Sequence, residues 1–199
     1  MFVSMNWIQE YVDLSGENIE SLIKRFTLST AEVEDIIYKG KEVQGVIIAE
    51  IKSVENHPNS KKLHLLKVDT GSGIVDCVCG APNVEVGQRV AFAPVGSHVV
   101  GMEITEATVA GYVSQGMCCG EDELGISDDH TGLMVIDSDA PLGTDIKSIY
   151  AIDDIIFEVD NKSLTNRPDL WGHYGIAREF ASLAGRELKP LPQVDLTKY

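Results

Sequence analysis

Several things are missing from this 199-residue chain, and each absence excludes something. No stretch approaches the run of about 20 apolar residues that spans a bilayer, and Met1 to Tyr11 lacks the basic-then-apolar pattern of a secretory leader. The chain therefore reads as soluble and cytosolic, with no membrane partner. It has no phosphate-cradling glycine loop, no Gly-Lys-Ser/Thr, no His-Glu-x-x-His and no serine elbow, so no catalytic residue is assigned. Its four cysteines fall as Cys77-Val78-Cys79 and Cys118-Cys119, the spacing of neither a disulfide framework nor paired zinc knuckles. Reduced, buried thiols are the simplest reading, and a four-sulfur metal site would require both pairs to meet in space. No metal site is assigned.

Positive charge is also scarce. Lys and Arg number 16 against 31 Asp and Glu, a formal net charge of −15 that repels a phosphate backbone at long range. Between Val90 and Asp145 there is no lysine or arginine, while carboxylates such as Glu103, Glu121, Asp122, Glu123 and Asp137 recur. A DNA partner is not expected, and any RNA contact has to be local. Aromatic platforms are few, since the central segment holds Phe92 and Tyr112, with Tyr150 just beyond. Base stacking contributes about 1–3 kcal/mol per base in single-strand binders, so such a module binds weakly or by shape.

What is present is enough hydrophobic residue, 44%, to bury one large core or two modest ones. Ile19, Leu22, Ile23 and Phe26 share one helical face, which predicts a helix over 17–28 capped by Ser15. The Val- and Ile-rich Glu32 to Tyr38 predicts a strand. From Gly45 to Ile136 the texture changes to short β-prone runs: Val46–Ile51, Leu63–Val68, Ile74–Val78, Val90–Ala93 and Ile104–Val109, with Leu133–Ile136 as one more. Their spacing suits an OB-like Greek-key barrel and also a small sandwich. After it, Ile155–Val159 reads as a strand, and Asn166-Arg167-Pro168-Asp169 announces a helix ending at Gly185.

Helix and strand flank an all-strand middle, the pattern of one domain inserted into another. The fold class expected is α+β: a small discontinuous helix-plus-strand domain, 1–39 and 152–190, with an inserted OB-fold β-barrel, 40–151, and a linker over 191–199. Ile36 to Tyr38 and Ile155 to Phe157 are expected to lie side by side.

The candidate contact residues cluster around the turn His57-Pro58-Asn59-Ser60-Lys61-Lys62-Leu63. Lys61 and Lys62, with Lys67 and Lys52, form the one basic cluster of the middle segment and suit phosphate oxygens. Lysines at a strand end are more often simply solvated. Ser114-Gln115-Gly116-Met117 ends a strand, with Met117 suited to filling a core gap or to touching a ribose or base from the rim. Asp128-Asp129-His130 reads as a solvated turn.

Taken together, the segments Ser4-Met5-Asn6-Trp7-Ile8-Gln9-Glu10-Tyr11-Val12, His57 to Leu63, Cys79 to Val84, Ser114 to Met117, Glu123 to His130 and Thr165-Asn166-Arg167-Pro168-Asp169 resemble the beta subunit of bacterial phenylalanyl-tRNA synthetase over essentially the whole chain. The resemblance implies an OB module of the EMAP-II type. It carries tRNA contact to Asn59, Lys62, Ser114 and Met117, and it implies an alpha subunit as partner in an alpha2-beta2 assembly that charges tRNA with phenylalanine. ATP and Mg2+ would serve the complete enzyme, whose editing, core and anticodon-binding domains would lie beyond Tyr199, and no cofactor is expected in this segment. The remaining alternatives are a purely architectural module and a free-standing tRNA-binding protein.

Overall fold

The computed structural model describes residues 1–191 and 197. In chain order it contains β1 (Phe2–Ser4), α1 (Met5–Tyr11), α2 (Ile19–Ser29), β2 (Val33–Lys39), β3 (Ile47–Asn56), β4 (His64–Asp69), β5 (Ile74–Cys79), β6 (Arg89–Pro94), β7 (His98–Val99), β8 (Met102–Glu103), β9 (Ala107–Val109), β10 (Tyr112–Ser114), β11 (Gly116–Cys118), β12 (Asp154–Val159) and α3 (His173–Ala184). Two compact units result, one of Met1–Tyr38 with the chain from Asp154 onward, the other Lys39–Asp153. The linker expected over 191–199 lies outside the described residues, except for Leu191 and Thr197.

In the discontinuous unit, β12 lies between β1 and β2, with Val3 opposite Phe157. Helix α1 starts because the Ser4 hydroxyl accepts the Trp7 amide at 3.1 Å while donating to Asp154 Oδ2 at 2.6 Å. Helix α2 starts at Ile19, two residues later than the periodicity predicts. Asn18, not Ser15, is its cap, with Oδ1 accepting from the Ser21 amide at 2.8 Å. Its buried face of Leu22, Ile23 and Phe26 meets Phe157 and Phe180, whose ring centroids lie 6.1 and 5.4 Å from that of Phe26. The Asn-Arg-Pro-Asp segment does not open the long helix. It forms a separate 3-10 turn, Pro168–Leu170, and α3 begins after Gly172. At Gly175 the Asp169 carbonyl passes so close that a Cβ would fall on its oxygen, so turn and helix pack in contact. Arg167 fixes that packing by binding Asp169 through two nitrogens, at 3.0 and 2.9 Å, and Glu179 of α3 at 2.5 Å.

The inserted unit is a five-stranded antiparallel sheet in the order β11-β6-β3-β4-β5, curled into a nearly closed barrel of the OB type, so the sandwich alternative is not realised. Alternation decides its faces: Leu66, Val68, Cys77 and Cys79 point into the core, Leu65, Lys67, Asp76 and Val78 away from it. The fifth barrel strand is β11. The expected strand over 104–109 is replaced by a two-stranded hairpin, β9 with β10, inside the long connection from β6 to β11, and Leu133–Ile136 contributes one isolated bridge, Val90 to Val135. Closure between β5 and the β10–β11 segment uses Gln115 N–H donating to the Asp76 carbonyl at 2.8 Å and Val78 N–H donating to the Ser114 hydroxyl at 3.0 Å. Lys147 ties the two ends of this unit, reaching the Gly40 carbonyl at 2.8 Å and Asp153 at 2.7 Å.

Candidate nucleic-acid interface

OB barrels hold oligonucleotides on the face of their second and third strands, between the loop joining strands one and two and the loop joining strands four and five. Here those parts are β4 and β5, the turn His57–Leu63, and the connection carrying the β9–β10 hairpin. A groove of about 250 Å³ runs between them, lined by Ser53, Glu55, Leu65, Lys67, Val78 and Tyr112.

Lys52 is the extra residue of a β-bulge in β3, where the register with β4 shifts between Ile51 and Ser53. Its ammonium lies 2.7 Å from Glu50 and 3.7 Å from Asp69. Lys67 sits directly across from Asp76 on β5, at 2.8 Å. In both cases the hydrogen-bonded carboxylate pushes the lysine up from its ordinary value. These two charges are already matched, so the groove floor offers no net positive field.

The turn differs. Lys61 and Lys62 are exposed and have no carboxylate within 4.0 Å among the described residues. Asn59 is exposed beside them. The turn is held by His57, 3% exposed, whose Nδ1 accepts from the Asn59 amide at 3.1 Å. That leaves the ring proton on Nε2, which donates to the Ala110 carbonyl at 3.2 Å in the tip between β9 and β10. The Tyr112 ring meets the imidazole edge-on at 5.0 Å. His57 thus joins both loops at the head of the groove.

Of the candidates, the structure brings Asn59, Lys61 and Lys62 into one loop and sets Lys67 on the adjoining strand face. Ser114 is placed differently: it is buried, accepts from Val78 N–H and donates to the Gly116 carbonyl at 2.9 Å. Met117 is half-buried, packed on the cluster around Ala91, Ala93 and Leu124, and lines a second cavity beyond the seam. His57 as a clasp, and Glu50, Asp69 and Asp76 as partners of the lysines, are functional neighbours that motif spacing does not reveal. The period-two pattern places Lys67 on the outer face, but which carboxylate stands opposite depends on register. Nor do the cysteine pairs meet as a four-sulfur set: Cys77, Cys79 and Cys118 line one core and Cys119 another.

Comparison with known proteins decides the family. Residues 46–145, from the start of the barrel to the end of its closing loops, match the family described as Putative tRNA binding domain. This chain belongs to that family. The tRNA-binding domain is also embedded in the context its motifs suggest: over 97% of its length the chain is 42% identical to the phenylalanine–tRNA ligase beta subunit of Bacillus licheniformis, and over 92% it is 39% identical to that of Leptospira interrogans. The beta subunit of Leptospira biflexa matches the whole chain at 36% identity. The resemblance read from the motifs is thus borne out. The chain spans about a quarter of the length of these curated relatives, 25%, 23% and 25% respectively. In the tRNA-binding domain itself, the family match takes in the His57–Leu63 turn and both loops that His57 joins.

Proposed function

We propose that this chain is the N-terminal region of a phenylalanine–tRNA ligase beta subunit and that its barrel supplies an auxiliary, salt-sensitive contact with tRNA. The observation that carries the reading is the pair Lys61 and Lys62, exposed and unmatched by carboxylates on a loop pinned beside the OB face. They meet phosphate oxygens while the groove beside them, which carries Glu55 and the matched Lys67–Asp76 pair, faces an unpaired base or ribose rather than phosphate. Between Val90 and Asp145 the chain carries no lysine or arginine, so the acidic surface there turns phosphate away. In the complete enzyme, charging of tRNA with phenylalanine uses ATP and Mg2+, takes place outside this region, and involves an alpha subunit in a cytoplasmic alpha2-beta2 assembly. No residue of this segment is assigned a catalytic role.

Fluorescence polarisation with labelled tRNA at low salt tests this. Wild type should bind, and K61E/K62E should abolish binding. Neutralising one lysine, as in K62Q, should leave weaker binding whose slope of log K against log salt is reduced by roughly 0.7–0.9. Absence of binding by the wild type, or equal binding by the double variant, would sink the reading. The basic-residue-free stretch 90–145 favours the second reading, an architectural module of the synthetase, which those same outcomes would support.

A further inference from the structure

The barrel core contains a group of nucleophiles that RNA contact does not use. Cys77 and Cys79 point inward from alternate positions of β5, and Cys118 faces them from β11 across the seam, its sulfur 4.0 Å from that of Cys77. The Cys79 sulfur accepts the Ala81 amide at 3.5 Å. A cavity of about 350 Å³ opens beside them, lined by Cys79, Cys118, Met117, Leu133, Glu123 and His130, the last exposed at its outer edge. Cys119, next in sequence, faces away into another core, where burial pushes its thiol up.

The three thiols are not equivalent. A hydrogen bond from Cys118 draws Cys79 down to about 7, assisted by the Ala81 amide, against burial and the Glu123 carboxylate. Cys77 is drawn down too by its contact with Cys118, while Cys118, beside both sulfurs and deeply buried, is driven up. Of these sulfurs, Cys79 and Cys118 line the cavity wall and Cys77 does not, the placement of an attacking and a resolving thiol.

We propose that this cluster is an oxidisable site, in which a hydroperoxide entering the cavity reacts at Cys79 and Cys118 then closes a disulfide onto β5. The Cys79 sulfur attacks one peroxide oxygen and breaks the O–O bond, and with hydrogen peroxide the other oxygen leaves as water with the Cys79 proton. The Cys118 sulfur next attacks the sulfenic sulfur and displaces its hydroxyl, which takes the Cys118 proton as a second water. Two thiols thereby lose two electrons to one peroxide. The bond lies across the seam that backbone pairing leaves incomplete.

Hydrogen peroxide added to the folded 199-residue chain, followed by intact-mass and peptide mapping without reductant, tests the site. The expected product has lost two hydrogens, links the Cys118 peptide to the peptide holding Cys77 and Cys79, and reverts with dithiothreitol. It should form normally in C119S, fail in C118S, and form at least about tenfold more slowly in C79S. Oxygen addition without a crosslink, a bridge through Cys119, or unchanged kinetics in C79S would overturn the proposal. Mapping of the wild-type chain decides the first two even if a serine variant folds poorly.

Discussion

Gly116 has no space for a side chain: a Cβ there would overlap the Phe92 ring and the Ala93 carbonyl, and its φ of +149° is one that other residues rarely adopt. Gly116→Ala should lower stability by about 1–3 kcal/mol through overpacking alone, read as the midpoint of urea unfolding. An unchanged midpoint would mean that the seam repacks at no cost. His173 makes a pH-dependent contribution, since its Nε2 accepts the Ser4 amide at 3.0 Å and its ring stacks on Trp7 at 4.0 Å. Burial lowers its pKa from the ordinary 6.5, against the opposing pull of Asp154. The folded protein therefore favours the neutral ring. Its contribution is complete above the unfolded value and is lost as pH falls through the lower folded one. Between about pH 7.5 and 5.5 the wild type should lose more stability than His173→Gln, by under about 1 kcal/mol for so exposed a ring. Equal losses would contradict this. Residue identity made the cationic turn legible from Lys61 and Lys62, but not the pairing of Lys52 and Lys67. Lys52 meets Glu50 two residues back on its own strand, and Lys67 meets Asp76 through strand register.

At the scale of elements, periodicity located α2 and four of the five barrel strands within a few residues, because their buried faces repeat at the helical or strand period. It failed where another force decides. Strand β11 is only three residues long, too short to show alternation, and is held by pairing with β6, Met117 opposite Ala93. Ile104 is buried and drew the strand prediction towards 104–109, yet it serves a loop core rather than a ladder. The cap-plus-proline signal at Asn166-Arg167-Pro168-Asp169 does start a helical turn. The backbone leaves it after Leu170, and α3 restarts where Gly175 can approach the Asp169 carbonyl. The helix end at Ala184 followed by Gly185 was readable, since a left-handed glycine is a local signal.

For the whole molecule, the division into two units and the tie of Lys147 to both Gly40 and Asp153 predict that residues 39–153 fold alone. Expressed separately, that segment should give a β-rich circular dichroism spectrum and a cooperative melt. A spectrum of unfolded chain would refute its independence. The strongly negative total charge was legible at once, and so was the stretch from Val90 to Asp145 without a lysine or arginine. The clasp at His57 was not, because it joins residues more than fifty positions apart. Ser114 carries a wider lesson. Its hydroxyl stands in for a missing rung, and without it the Val78 amide would be left unpaired, a loss of about 1–3 kcal/mol. Closing the ring therefore calls for this hydroxyl whether or not any RNA touches it. Selection for a closed ring and selection for a ligand would leave the same mark at such a position.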